Sequence, residues 1–208
     1  MKSVINCTTK HNPIINSKLK EVSVEEGRTI ATELFQILNK RGDGIGLASN
    51  QVGIDAQVAV VNVREPIILI NPKIIDQWEE VPYYEGCLSF PGQAIRTKRY
   101  RNIVVKSADV DCQYYFSAAG SPKGAKGSWE ASAKHDQEQR LLEAICVQHE
   151  IDHLNGVTIH DREKNLEPVK SEKKIGRNDL VTIKKGDAVK VLKYKKAQNL
   201  LNQGWVLE

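Results

Sequence analysis

Apolar positions along the chain follow two different periods. Ile30, Leu34, Ile37 and Leu38 recur at helical spacing. Ser23-Val-Glu-Glu26 stands just before them as a capping box, so a helix is expected to open there. Gly42 and Gly44 supply its stop. The runs QVAVVNV (57–63) and PIILINP (66–72) read as strands, the second ended by Pro72. NIVVKSADV (102–110) and QYYFSA (113–118) read as further strands. Between them lies YYEGCLSFPG (83–92), a segment bounded by glycine and proline. Residues 117–134 carry no apolar period and are rich in Ala, Gly, Ser and Lys, which predicts an inserted loop with Trp129 as its one anchor. From Asp136 to Asn155 the helical period returns, with Leu142, Ile145, Cys146, His149 and His153 on one stripe and Gly156 as the stop. The tail reads as two short strands around a Lys-Gly-Asp turn, then a short helix over KKAQNLLNQG with Trp205 and Val206 folding back.

A chain of 208 residues holds one domain with a real core and a small appendage. The division expected is 1–162 for the main domain and 163–208 for a basic extension. No apolar run approaches a membrane span, and the first residues lack a signal-peptide core, so a cytoplasmic protein with no membrane partner is expected. The net charge of +4 is uneven: residues 161–208 hold twelve Lys/Arg against seven Asp/Glu. A basic tail suits an anionic surface such as RNA, or is simply a solvated face; no specific DNA contact is expected. The four cysteines, Cys7, Cys87, Cys112 and Cys146, form no C-x-x-C pair, which leaves free thiols or metal ligands.

The stretch VQHEIDHLNG (147–156) carries the most chemistry. His149 and His153 are four apart on a helix and share a face, so both imidazoles can reach one metal ion. Glu150, beside the first, is placed to act as general base on an attacking water. A surface helix with two ordinary histidines is the bland alternative, and the apolar stripe through Leu142 and Ile145 argues against it. A catalytic site needs a third protein ligand. His160 misses the spacing of an extended histidine motif by one residue. Glu167 and Glu172 lie in a lysine-rich, coil-like stretch. Cys87 is the better candidate, since a thiolate is a strong ligand and the flanking glycine permits close approach.

Three segments, GIGLASNQ (44–51), EGCLS (85–89) and QHEIDHLNG (148–156), resemble in order the three motifs of the peptide deformylase family. That family removes the formyl group from N-formyl-methionine of nascent chains, and the resemblance implies its α+β fold, with antiparallel or mixed sheets flanking a central metal-binding helix. The resemblance spans roughly Ile15 to Arg162, with Ser49 standing where the family usually has alanine. It implies that Cys87, His149 and His153 bind one divalent metal, Fe2+ foremost with Zn2+, Ni2+ or Co2+ able to replace it. It implies that Glu150 is the general acid/base and that Gln51 and the backbone N–H of Leu88 bind the oxyanion. Gly44, Ile45, Gly46, Glu85, Gly86, Leu142, Ile145 and Cys146 would shape the substrate pocket, and Arg99 would lie at its rim. Plain core packing accounts equally for the apolar members. N-formyl-methionine peptides are the implied substrates, and ribosome contact through the basic tail is an added expectation. The 62 positions from Cys87 to His149 exceed the family's usual gap. Two other readings stand beside this one: a different metal-dependent amidase or peptidase on the same scaffold, and a metal-stabilised binding module. Glu150 and Gln51 count against the last, since structure alone needs neither.

Overall fold

The computed structural model describes residues 2–9, 11–118, 134–163, 180–185, 188–201 and 205–207. The expected loop over 117–134, its Trp129, the turn at 186–187 and Gly204 fall almost wholly outside these. The chain divides into two compact units, Met1–Leu166 and Glu167–Glu208.

In the first unit, α1 spans Val24–Arg41. Ser23 caps it by accepting from the Glu26 N–H at 3.2 Å, and Gly42 ends it. Strands β1 (Gly46–Ala48), β2 (Val58–Asn62) and β3 (Pro66–Ile70) form an antiparallel sheet in that order, with a 3-10 turn over Ser49–Val52 between the first two. A second antiparallel sheet is built of β4 (Lys73–Cys87), β5 (Phe90–Lys106) and β6 (Gln113–Ser117). Helix α2 runs over Lys134–Leu154 and the short α3 over Ile159–Glu163. Every ladder in these two sheets is antiparallel, so the expected α+β class holds, without a mixed sheet among the described residues.

Strand β2 explains why the layers stack as they do. Its VAVV run is buried on both faces, as an uninterrupted apolar strand must be. Val58 and Val60 meet Ala31, Leu34, Ile37 and Leu38 of α1. Ala59 and Val61 meet Ala144, Cys146, Val147 and Ile151 of α2, which also receive Ile103, Val105 and Phe116 from the second sheet. Helix α2 thus lies between the two sheets. The sequence suggested one apolar stripe; instead, from Glu143 to Leu154 every residue but His149 is fully buried.

The β4–β5 hairpin is much longer than its sequence pattern suggests. Its apolar alternation is broken by Glu79-Glu80 and by Pro82, and its register shifts between Ile74 and Asp76. Pro82 is tolerated because β4 is an edge strand.

In the second unit, β7 (Leu180–Lys185) pairs with β8 (Ala188–Lys193) and with β9 (Val206–Leu207), all antiparallel, and α4 covers Tyr194–Leu201. Val181, Ile183 and Ala197 form its small core, with Trp205 packed beside them. No helix among the described residues is long and apolar enough to cross a membrane.

Candidate metal centre

Three elements bring the centre together. Helix α2 presents His149 and His153 one turn apart, with their rings edge to face at 4.9 Å between centroids. The tip of the β4–β5 hairpin carries Cys87, whose Sγ lies 3.2 Å from His153 Nε2. The 3-10 turn after β1 supplies Gln51. Cys87 Sγ and the ring nitrogens of the two histidines all lie within 4.8 Å of one another. The Nδ1 of His149 is engaged by Glu85 Oε2 at 2.8 Å, which leaves its Nε2 to the cluster.

Donor chemistry and electrostatics both fit a divalent cation. Two imidazoles and a thiolate suit borderline metals. Burial works to raise the Cys87 thiol, but His153 and His149 beside it outweigh burial and hold it well below its usual range. Burial likewise works to lower His149, yet Cys87 and Glu85 hold it well above the usual imidazole range. The site therefore favours a thiolate and retains positive charge next to it.

Two more groups face the cluster. Gln51 is 1% exposed, and its Oε1 accepts from the Ala48 N–H at 2.9 Å. That contact turns its Nε2 toward Cys87 Sγ (3.6 Å) and Ser89 Oγ (3.2 Å). Glu150 is buried, and its Oε2 has no hydrogen-bond partner. Burial pushes its carboxyl up to about 7 against the pull of His149 and His153. A carboxyl in that range both takes and gives a proton at neutral pH.

A cavity of about 550 Å³ opens onto these groups. It is lined by the expected Gly44, Ile45, Gly46, Gln51, Glu85, Gly86, Cys87, Leu88, Leu142, Ile145, Cys146, His149 and Glu150. His153 sits behind, 1% exposed, outside the lining. Gly46 is required by close approach: a Cβ there would lie 2.7 Å from the Cys146 sulfur and on top of the Glu150 carboxylate. Glu85 reaches the lining, but its carboxylate is committed to His149, Arg99 and Thr97 rather than to a ligand. Burial works to raise it, but His149 and Arg99 outweigh burial and hold it at about 2.

Arg99 is not at the rim. It is 2% exposed and lies behind the centre. Its Nε and Nη2 grip Glu85 at 2.5 and 2.9 Å, and its Nη1 donates to Asp152 at 2.5 Å. Strand register is the reason: Ile95, Thr97 and Arg99 alternate on the buried face of β5, alongside Glu85 of β4. His160, set aside from the sequence, is not in the ligand cluster; its ring meets Phe90 edge-on at 4.9 Å.

Sequence reasoning passed over Tyr83, Tyr84 and Gln93 of the hairpin, Arg41 at the end of α1 and Asp43 just past it, all of which line the cavity. It also passed over Asp152, Ser89 and Asn50. Asn50 donates its amide to the carbonyls of His153 (2.8 Å) and Ile15 (3.1 Å), tying the turn to α2. All three lie inside the quoted motifs, and a polar residue within an apolar motif was the available signal. At the end of α2, Gly156 has φ +73°, and a Cβ would strike the Asn16 carbonyl at 2.6 Å. The N-terminal segment passes there, and Leu19 N–H donates to the Leu154 carbonyl at 3.0 Å.

Known proteins resemble this chain in sequence and fold. Residues 4–169 match the family described as polypeptide deformylase. The peptide deformylase of Dictyoglomus thermophilum is 36% identical over 166 residues, 78% of this chain and 94% of that protein. The crystal structure of peptide deformylase from Thermotoga maritima covers 81% of this chain and 99% of its own, at 27% identity and TM-score 0.61. That of the PDF from the Vibrio parahaemolyticus bacteriophage VP16T, in complex with actinonin, covers 75% and 98%, at 31% identity and TM-score 0.56. With fold, motifs and relatives in agreement over most of its length, the chain belongs to the polypeptide deformylase family.

Proposed function

We propose that the protein hydrolyses the formyl amide of N-formyl-methionine peptides, releasing formate and a free N-terminus. One observation carries the reading: a Cys87–His149–His153 trio beside an unpartnered Glu150 oxygen, with Cys87, His149 and Glu150 lining one cavity. Cys87, His149 and His153 would hold a divalent ion, Fe2+ foremost, with Zn2+, Ni2+ or Co2+ also fitting two imidazoles and a thiolate. When bound, that ion supplies Lewis acidity, making water acidic and polarising the formyl oxygen.

The protein's own groups do the rest. The methionine side chain lies against Ile45, Leu142, Ile145 and Cys146, and Gly46 keeps the entry open for the peptide backbone. Gln51, fixed by the Ala48 N–H, aims its amide at the developing oxyanion, joined by the Leu88 N–H; one such donor is worth about 3 kcal/mol of barrier. Glu150 takes the proton of the attacking water and delivers it to the amide nitrogen as the C–N bond breaks. Such a reaction belongs to the cytoplasm, where formylated chains emerge. The lysine-rich tail supports contact with ribosomal RNA.

The test is formate release from formyl-Met-Ala-Ser by Fe2+-loaded protein, beside Glu150→Gln. Turnover in the parent and a loss of about 10²–10⁴-fold in a variant that still holds metal is expected. An inactive parent with a full metal site would overturn the reading.

A further inference from the structure

Behind the ligands runs an alternating chain of charges. His149 Nδ1 meets Glu85 Oε2 at 2.8 Å, and Arg99 Nη2 meets the same oxygen at 2.9 Å. Arg99 Nη1 continues to Asp152 Oδ2 at 2.5 Å. The chain does not stop there. Arg162 of α3 donates its Nε to Asp152 Oδ2 at 2.8 Å and its Nη2 to Asp152 Oδ1. Four members are buried or nearly so, while the Arg162 side chain is 42% exposed. Its α3 is pinned at its start, where Thr158 donates its N–H and hydroxyl to Asp161 Oδ2 at 2.9 and 2.8 Å.

We propose that Arg162 is a positioning residue for the metal centre, the outer anchor of a chain Arg162–Asp152–Arg99–Glu85–His149 that fixes the His149 ring. The inference rests on the reading of Cys87, His149 and His153 as metal ligands. Arg162 touches no ligand, so its influence passes through the chain. The fork on Asp152 holds both carboxylate oxygens and sets the plane that Arg99 Nη1 meets. Arg99 in turn grips Glu85 with a second fork. Glu85 then has no freedom to swing from His149. Charge points the same way. Removing Arg162 takes away both hydrogen bonds it gives Asp152 and leaves that nearly buried carboxylate to Arg99 alone. Partners behind a ligand commonly change metal affinity about 10–100-fold.

Chelator competition with Zn2+ measures the affinity, and the visible absorption of Co2+-loaded protein reports the ligand geometry. Arg162→Met is expected to weaken binding about 10-fold and to shift the Co2+ bands. Arg162→Lys is expected to recover part of the affinity, since it restores charge but not the fork. Lys98→Met, which removes an exposed cation paired with Glu80 at 2.6 Å, is expected to leave both readouts unchanged. Should Arg162→Met fail to fold, the milder Arg162→Gln carries the same comparison. Parental affinity together with a parental Co2+ spectrum in the folded Arg162 variant overturns the inference. A parent that binds neither Zn2+ nor Co2+ overturns the metal-centre reading beneath it.

Discussion

Helices α1 and α2 both pack on the first sheet, from opposite sides, yet they follow different rules. Helix α1 buries one face, through Gly27, Ala31, Leu34, Ile37 and Leu38, and gives its charges to solvent. From Glu143 to Leu154, helix α2 buries nearly its whole circumference and takes Glu143, Gln148, Glu150, Asp152 and His153 inside with it. A buried polar group costs free energy unless something meets it. On α2 most are met: Gln148 bonds both the N–H and the carbonyl of Tyr100, and Asp152 takes two arginines. The unmet atoms are Glu150 Oε2 and His153 Nδ1, both in the centre. The lesson is that α1 is built for stability, while α2 spends stability to hold a reactive constellation.

Three substitutions sharpen or break that contrast. Asp152→Ala removes a carboxylate shared by two arginines and leaves Arg99 Nη1 without that partner in the interior. Denaturant unfolding of metal-free protein should show a loss of about 3–5 kcal/mol, the typical result of breaking a buried pair. A loss below about 1 kcal/mol would mean that the α2 network is no more costly to break than a surface pair. Leu34→Ala, on the fully buried face of α1, should cost about 2–5 kcal/mol through the cavity it leaves, with kcat/KM for formate release unchanged. A fall in kcat/KM at constant metal content would erase the division of labour. The smallest effect concerns the sheet packed on α2. Burial and Asp109 push Tyr114 up to about 12. A raised pKa gives stability that is fully present below pH ~10, the usual tyrosine value, and lost as pH rises through the folded value. Alkaline melting curves of Tyr114→Phe should therefore flatten between pH ~10 and ~12 relative to the parent, and identical curves would remove Tyr114 from the account.

The same contrast governs what could be read in advance. Helix α1 was legible end to end, because Ser23, the apolar period and Gly42 are local signals. So was β2, whose VAVV run announces burial on both faces. The ligand trio was legible because helix geometry fixes the spacing of His149 and His153 and because EGCLS marks Cys87. Arg99 was misplaced for a reason of the same kind in reverse. On β5 the inward-facing alternation reads Ile95, Thr97, Arg99, so a search for apolar residues at every second place passes over two of the three. The supports behind the ligands are polar residues whose partners lie across a register that only the fold reveals. Arg162 shows this most plainly, since nothing in its sequence setting separates it from an ordinary surface arginine.

The bond from the Asn50 amide to the His153 carbonyl joins residues 103 positions apart. That span has a consequence in time. As the chain is synthesised from its N-terminus, Gln51 and Cys87 emerge long before either histidine. Contacts of such separation carry a large loop-closure cost and form late. At least 153 residues must have left the ribosome before the three ligands can meet. No shorter nascent fragment holds Cys87, His149 and His153 together. An enzyme whose substrates are chains still being made becomes active only after its own synthesis has passed its last ligand.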